Sequence, residues 1–330
     1  MARIAVLGAG AWGTGIACAL ASRHGVALWA RSTDQARAIT HAGLNERYLP
    51  GIAIPASVGV TADLGEALAG AALVLLATPV ASMREVLSLS PLQRPAAPPL
   101  VWLCKGFEEG TGLLPHQVVD YVLGAGASCG ALSGPSFAEE VARGLPCALT
   151  LASRDPAFAR EAAGLLHGGR VRVYYSADVV GVELGGAVKN VMAIAAGISD
   201  GLSLGMNARA ALITRGLAEI GRLIAALGGQ AETVMGLAGA GDLILTATGD
   251  LSRNRRVGLE LARGRALADI LASLGHVAEG VRSAKEVARL AAQRKVDMPV
   301  TDAVNAVLEG RLAPAAAVDR LLARDPKREG

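Results

Sequence analysis

A lysine inside a wholly apolar helix is the residue of this sequence that most needs a chemical explanation. Lys189 and Asn190 lie in ELGGAVKNVMAIAAGISDGL (183–202), where the neighbouring positions are almost all Ala, Val, Met or Ile. Apolar residues on every side of the helical wheel predict a helix that is buried all round. Because an ammonium group is almost never fully buried without a partner, Lys189 must reach solvent, pair with a carboxylate or line a water-accessible cleft.

These surroundings leave two interpretations of Lys189 open. In a cleft, burial would lower the pKa of the ammonium group, which could then give a proton to a carbonyl oxygen during a reduction and take it back in the reverse direction. That is the proton chemistry of a dehydrogenase. Alternatively, Lys189 belongs to a structural ion pair with no part in catalysis.

A second cluster of polar residues lies in GLAGAGDLILTATGDLSRNRRVG (236–258). Asp242 follows a glycine-rich turn, and Ser252 is a candidate N-cap for a helix that begins near Arg253 and Asn254. Guanidinium and amide donors at a helix N-terminus suit a phosphate dianion. As a bare charge run, the same segment would be a solvated face, and Asp242 an ordinary helix N-cap.

A third candidate site opens the chain, in RIAVLGAGAWGTGIACAL (3–20). A signal peptide and a membrane anchor are alternatives, because a basic residue precedes an apolar run. The glycines argue against both, since Gly8, Gly10 and Gly13 would weaken a continuous apolar helix but suit a strand that turns sharply into a helix. Gly-x-Gly-x-x-Gly after a strand predicts a dinucleotide site, whose glycines permit the turn, the approach of a pyrophosphate and helix–strand packing.

The end of the next predicted strand bears on the choice of dinucleotide. An NAD site usually has an acidic residue here, which holds the ribose diol, whereas an arginine accommodates a 2′-phosphate. This chain has Trp29-Ala30-Arg31-Ser32, without a carboxylate. We therefore expect NADP(H) to be accepted and preferred, unless Arg31 is merely a solvated cation.

The elements that position these residues follow a βαβ rhythm. Apolar runs typical of buried strands (RIAVLGA, VALWAR, AALVLLATP, LVWLCKG, CALTLAS and VRVYYS) alternate with helical patterns. They predict an α/β fold, a doubly wound parallel Rossmann sheet with helices on both faces. From about residue 179 the pattern becomes helices separated by glycine turns, which predicts an all-α substrate domain. We assign residues 1–178 to the dinucleotide-binding domain and 179–330 to the substrate domain.

Composition excludes several classes of function. The 330 residues are 52% hydrophobic and 3% aromatic, with a formal net charge of +3, so neither nucleic-acid binding nor stable membrane insertion is expected. The four cysteines have no CxxC spacing and the five histidines no ligand spacing, so we expect no disulfide framework and no metal. Without a targeting segment, a cytoplasmic protein is expected.

Taken together, these segments closely resemble the bacterial NAD(P)-dependent glycerol-3-phosphate dehydrogenases over nearly the whole chain. The resemblance also rests on YLPGI, CKGFEEGTG, LSGPSFAEEVARGLP, NARAALITRGLAEI, VAEGVRSAKEV and MPVTDAV. It implies interconversion of dihydroxyacetone phosphate and sn-glycerol 3-phosphate, a phospholipid precursor, with NADP(H) or NAD(H). It also implies a homodimer.

The resemblance further implies a role for individual residues. Lys189 would be the proton donor and acceptor, with Lys105 and Asp242 as its catalytic partners. The substrate would contact Lys105, Gly134, Ser136, Lys189, Asp242, Ser252, Arg253 and Asn254. The cofactor would contact Gly8, Gly10, Ala11, Trp12, Gly13, Arg31, Lys105, Ala138, Arg253, Val277 and Glu279. Ala30 and Ser32 depart from common family residues beside Arg31, which bears on the strength of the NADP preference.

Two other functions fit parts of the pattern. A β-hydroxyacid dehydrogenase also joins a Rossmann domain to a helical domain, but that family typically spaces its lysine and asparagine four apart, whereas Lys189 and Asn190 are adjacent. A dinucleotide sensor without turnover is the third hypothesis. The presence of Lys189, Lys105 and Asp242 disfavours it.

Overall fold

The computed structural model describes residues 1–94, 97–274 and 278–324. The chain divides into two compact units, Met1–Glu183 and Leu184–Gly330. Val277, predicted to contact the cofactor, lies outside the described residues.

The first unit contains a sheet whose strands have short, mostly buried apolar sequences. The strands of this unit are β1 (Arg3–Leu7), β2 (Gly25–Trp29), β3 (Leu44–Asn45), β4 (Leu49–Ala53), β5 (Val58–Thr61), β6 (Leu73–Leu76), β7 (Leu100–Trp102), β8 (Cys129–Ser133), β9 (Cys147–Ala152) and β10 (Val171–Ser176). Eight of them form one sheet in the order β10-β9-β8-β7-β6-β1-β2-β5, and β3 pairs with β4 as a separate hairpin. The predicted Rossmann arrangement is confirmed: strand order reverses between β1 and β6, where ligands of such sheets bind.

The sheet differs from the predicted one in the direction of two strands and in the number of strands. Strands β8 and β9 pair antiparallel, whereas the other pairs of the large sheet are parallel. The prediction of an all-parallel sheet is therefore wrong for β9 and β10, because the chain between β8 and β9 returns at the same end of the sheet. The apolar pattern also missed β5, β8 and the hairpin, which are short or rich in glycine.

Helices cover both faces of this sheet. They are α1 (Ala11–Leu20), α2 (Thr33–Ala42), α3 (Leu64–Leu68), α4 (Met83–Leu87), α5 (Pro115–Leu123), α6 (Ala138–Ala142) and α7 (Pro156–Leu166). Ile4 and Val6 of β1 belong to a core cluster shared with α1, α2 and α7. Ala5 and Leu7 are equally buried and point to the opposite face, because side chains alternate along a strand.

The second unit is built from helices. Helix α8 (Val179–Gly201) begins in the first unit and continues into the second. It is followed by α9 (Gly205–Ala226), α10 (Asp242–Thr248), α11 (Arg253–Ala262), α12 (Leu267–Leu274), α13 (Glu279–Arg294), α14 (Pro299–Leu308) and α15 (Pro314–Leu322). A π-helical turn (Leu237–Gly241) leads directly into α10. The predicted all-α C-terminal region is confirmed in the described residues.

Helix α8 is buried as its sequence predicts. It is long and apolar enough to cross a membrane, but 94% of its most apolar 18-residue window is buried inside the structure. Its hydropathy is therefore accounted for by its place in the protein interior. Because the helix is buried on all sides, Lys189 must find polar partners inside the protein.

Candidate active site

The predicted dinucleotide turn joins β1 to α1. Gly8 has a φ of +120°, a conformation that favours glycine, and a Cβ there would lie 2.9 Å from the Ala77 backbone. A Cβ on Gly13 would lie 1.9 Å from the Gly8 carbonyl oxygen, so helix and strand pack through this glycine. A Cβ on Gly10, in contrast, would meet none of the described atoms within 4 Å.

This turn fits a dinucleotide pyrophosphate. Gly10, the N-cap of α1, has no side chain to cap the helix, and the N–H groups of Ala11, Trp12 and Gly13 have no intrahelical acceptor because they lie in its first turn. Backbone N–H groups at a helix N-terminus, next to the open space at Gly10, are the donors that bind phosphate oxygens. The turn thus supplies the two features that a pyrophosphate requires, hydrogen-bond donors and open space.

Arg31 follows β2 on the surface of the first unit. Its guanidinium lies 3.7 Å from the Glu85 carboxylate, and both side chains are about 70% exposed. An exposed ion pair of this kind contributes little to stability. Arg31 is thus available to an anionic ligand, although Glu85 places a negative charge nearby.

Three of the residues predicted to contact substrate meet at the ends of β7 and β8. Lys105 donates from Nζ to the Gly134 carbonyl oxygen at 3.3 Å, and the Ser136 hydroxyl donates to the same oxygen at 2.9 Å. Ala138 begins α6, and its carbonyl oxygen is 2.7 Å from where a Cβ on Gly15 of α1 would lie. The close approach of α6 to α1 therefore brings Ala138 next to the helix of the glycine motif.

A partly buried ion pair holds the loop that carries Lys105. Arg84 of α4 donates from Nε and Nη2 to the two carboxylate oxygens of Glu108, at 2.7 and 2.9 Å, and Thr111 donates to Glu108 at 2.7 Å. Hydrogen bonding from Arg84 lowers the pKa of the Glu108 carboxyl. Glu108 stays ionised at neutral pH and fixes the loop three residues after Lys105.

In the second unit, Lys189 has the carboxylate partner that its burial demanded. Its Nζ donates to Asp242 Oδ1 at 2.6 Å and to Thr246 Oγ1 at 2.8 Å. The Thr246 hydroxyl in turn donates to the Asp242 carbonyl oxygen one turn earlier in α10. The Lys189 and Asp242 side chains are only 9% and 1% exposed, so the pair is shielded from water.

The residue after Lys189 links α8 to two other helices. Asn254 of α11 donates from Nδ2 to Asn190 Oδ1 at 2.9 Å and accepts from the Gly280 N–H of α13 at 3.0 Å. Ser252 caps α11, as predicted, by accepting from the Arg255 N–H. Arg253 is exposed in the first turn of α11, and Glu279 is half-buried at the first position of α13. Each of them directly precedes one partner of the Asn254–Gly280 hydrogen bond in the sequence.

The structure also identifies polar residues that the sequence did not single out or placed differently. Thr246 was missed, although its place four residues after Asp242 in a helix would have put both on one face. Arg255 lies in the same charged run as Arg253. Its guanidinium pairs with Asp200 at 2.8 Å and Asp250 at 2.9 Å, so Arg255 joins α8 to the start of α11.

Comparison with known proteins gives a consistent result. Models of the NAD-dependent glycerol-3-phosphate dehydrogenase N-terminus and C-terminus match residues 3–159 and 178–319. A glycerol-3-phosphate dehydrogenase [NAD(P)+] of Dechloromonas aromatica is 58% identical over 99% of each chain, and that of Aromatoleum aromaticum is 57% identical over 99% of this chain and 100% of its own. The crystal structure of glycerol-3-phosphate dehydrogenase from Coxiella burnetii superposes with a TM-score of 0.92 at 43% identity, covering 98% of this chain and 99% of the other. With its glycine turn, its buried lysine and these matches, the chain belongs to the NAD-dependent glycerol-3-phosphate dehydrogenase family.

Proposed function

We propose that the chain interconverts dihydroxyacetone phosphate and sn-glycerol 3-phosphate with NADP(H) or NAD(H), and that Lys189 moves the proton. The observation that carries this proposal is the buried ammonium group of Lys189, fixed at 2.6 Å from Asp242 and 2.8 Å from Thr246. A surface lysine needs no such arrangement. General acid catalysis requires a proton donor held within hydrogen-bond reach of the reacting oxygen, and these two contacts hold Nζ in one position.

The reduction joins one hydride and one proton to a ketone. When bound, the reduced nicotinamide supplies the hydride to C2 of the substrate. Lys189 gives its proton to the carbonyl oxygen as negative charge develops there, and takes a proton from the hydroxyl in the oxidation. Asp242 and Thr246 accept hydrogen bonds from Nζ and so keep the ammonium in one orientation.

The substrate phosphate is proposed to bind at the N-terminus of α11. Arg253 is exposed there and supplies a guanidinium group, and the N–H groups of the first turn follow Ser252. In the first unit, Lys105, Gly134 and Ser136 are proposed substrate contacts, as the resemblance implies, and both Lys105 and Ser136 donate to the Gly134 carbonyl oxygen. Lys105 would also contact the nicotinamide.

The cofactor contacts are proposed on the same grounds. We assign the pyrophosphate to the turn at the start of α1, formed by Gly8, Gly10, Ala11, Trp12 and Gly13. Ala138, which lies beside that helix, is a further proposed cofactor contact. Arg31 would contact the 2′-phosphate of NADP(H), which gives the predicted preference for NADP(H). Arg253, Val277 and Glu279 remain proposed contacts from the resemblance.

The first experiment measures oxidation of NADPH, and separately of NADH, by the purified protein with three substrates. Dihydroxyacetone phosphate is compared with dihydroxyacetone and with a β-keto acid. We expect rapid oxidation with the phosphorylated ketone alone. Turnover of the β-keto acid would instead indicate a β-hydroxyacid dehydrogenase, and NADPH binding without any turnover would indicate a sensor.

The proton-transfer role is tested by Lys189→Ala, with Lys285→Ala, an exposed lysine of α13, as the matched control. We expect turnover to fall by about 10³-fold or more in the first variant and to stay unchanged in the second, while both bind NADPH as before. Thr246→Val should lower kcat by about tenfold, because Nζ loses one acceptor, and Thr246→Ser should restore it. Unchanged turnover in Lys189→Ala would refute the assignment.

A further inference from the structure

We propose that Asn45 and Gln35 are positioning residues of the cofactor site. They hold the carbonyl oxygen of Ala9 and so turn the N–H of Gly10 toward the space where the pyrophosphate binds. This inference rests on the proposed function, in that it deepens the assignment of the glycine turn to the cofactor. It gives a role to the β3–β4 hairpin, which includes the YLPGI segment and has no other part in the proposed site.

The two amide side chains converge on one backbone oxygen in the middle of the glycine turn. Gln35 donates from Nε2 to the Ala9 carbonyl at 2.7 Å, and Asn45 donates from Nδ2 to the same oxygen at 3.0 Å. Asn45 Nδ2 also donates to Thr14 Oγ1 at 2.8 Å. Asn45 is 2% exposed and Thr14 is fully buried, so neither contact is made in competition with solvent.

Peptide planarity converts a fixed oxygen into a fixed donor. In a trans peptide the C=O and the following N–H point in opposite directions. With the Ala9 oxygen held on one side, the Gly10 N–H points to the other. Within the described residues this N–H donates to no backbone acceptor, and a Cβ on Gly10 would meet nothing within 4 Å.

The two donors lie on two separate elements, β3 and α2, and both elements are outside the glycine turn. Asn45 ends β3, and its carbonyl accepts from the Tyr48 N–H in the loop to β4. Gln35 lies in the first turn of α2, where its own N–H donates to the N-cap Ser32, directly after Arg31. Gln35 therefore connects the glycine turn, the proposed pyrophosphate site, to the segment that follows Arg31, the proposed 2′-phosphate contact.

The test measures NADPH binding without substrate, from the fluorescence of the reduced nicotinamide. Asn45→Ala and Gln35→Leu each remove one donor from the Ala9 oxygen, and Asn45→Asp replaces the donor by a carboxylate facing it. We expect each Kd for NADPH to rise, by about tenfold for Asn45→Ala and by more for Asn45→Asp. Affinity for adenosine 2′-phosphate, which lacks the pyrophosphate, should not change.

The matched control is Gln93→Leu. Gln93 donates from Nε2 to the Leu87 carbonyl oxygen at 2.6 Å in the same unit, so the variant loses the same type of bond away from the glycine turn. Its Kd for NADPH should equal that of the original chain. An equal loss of affinity in Gln93→Leu, or an unchanged Kd in folded Asn45→Ala, would overturn the proposal.

Steady-state kinetics separate positioning from general damage to the fold. The KM for NADPH should rise in the Asn45 and Gln35 variants, while kcat at saturating NADPH and the KM for dihydroxyacetone phosphate stay near their original values. If Asn45→Ala does not fold, Gln35→Leu decides, because Gln35 is only partly buried, and an unchanged Kd there would refute the idea. Because binding is measured without substrate, a failure of the proposed reaction would not be confused with a failure of this inference.

Discussion

At the scale of single residues, the candidate site depends on polar groups whose partners are buried. The Lys189–Asp242 pair illustrates why such groups are held firmly. Removing one member of a buried pair leaves the other charged and unpaired, which costs about 3–5 kcal/mol. An enzyme that needs a lysine in its interior must therefore supply the carboxylate as well, and Asp242 meets this requirement.

We propose that the cofactor preference depends on one surface residue, Arg31, and its neighbour Glu85. Removing the cation in Arg31→Ala should raise the KM for NADPH by about tenfold and leave that for NADH nearly unchanged, because only NADPH carries the 2′-phosphate. Glu85→Gln should have the opposite effect and lower the KM for NADPH about twofold. The substitution removes a negative charge 3.7 Å from Arg31, which would otherwise repel the 2′-phosphate. Kinetics with both cofactors check this, and equal effects on NADH would contradict it.

At the scale of elements, the β1–α1 turn contains two kinds of glycine: Gly13 is required for packing, and we propose that Gly10 is required for the ligand. In Gly13→Ala the new methyl would lie 1.9 Å from the Gly8 oxygen, so we expect a loss of about 3 kcal/mol or more in unfolding free energy. In Gly10→Ala the methyl enters open space, so stability should change by less than about 1 kcal/mol while the Kd for NADPH rises at least tenfold. Thermal unfolding and NADPH titration of both variants distinguish the two roles, and a stable Gly13→Ala would show that the turn can relax.

Helix α14 is capped by a buried carboxylate from α9. Glu219 accepts from the Val300 N–H at 2.6 Å and from the Thr301 N–H at 3.1 Å. Burial raises the pKa of Glu219 from its ordinary value of 4.5 to about 7, although these hydrogen bonds oppose the rise. The folded chain therefore binds this proton more tightly than the unfolded chain does.

The pH dependence of stability should reveal this carboxyl group. Its contribution is present below about pH 4.5 and is lost as pH rises toward 7, with a slope of at most about 1.4 kcal/mol per pH unit. Relative to Glu219→Gln, which cannot titrate, the original chain should lose stability across that range and then level off. Unfolding midpoints at a series of pH values test this, with the exposed Glu232→Gln as the control that keeps the original pH dependence.

At the scale of the whole molecule, we propose a homodimer, as the family resemblance implies, and a cytoplasmic enzyme. Light scattering of the purified protein should give a mass near twice the 33.4 kDa of one chain at micromolar concentration. A mass of one chain under the conditions of full turnover would show that the monomer is sufficient.

The sequence by itself determined the type of fold and the chemical character of the site. Gly8, Gly10 and Gly13 predicted a strand-to-helix turn because local backbone sterics act over a few residues. The apolar surroundings of Lys189 predicted a fully buried helix because helical periodicity is a local property. The resemblance in long motifs then indicated the family, which the matches over the whole chain confirmed.

Tertiary structure alone decided which side chains meet. Asp242 lies 53 residues after Lys189, and nothing in the spacing distinguished this pairing from a solvated lysine or a plain N-cap aspartate. Likewise, Asn45 reaches Ala9 from a hairpin too short for its apolar pattern to predict, and Arg255 pairs with Asp200, 55 residues earlier in the chain. The physical reason is the same in each case: periodicity fixes the face of an element on which a side chain lies, whereas the packing of separate elements fixes the distance between two polar atoms.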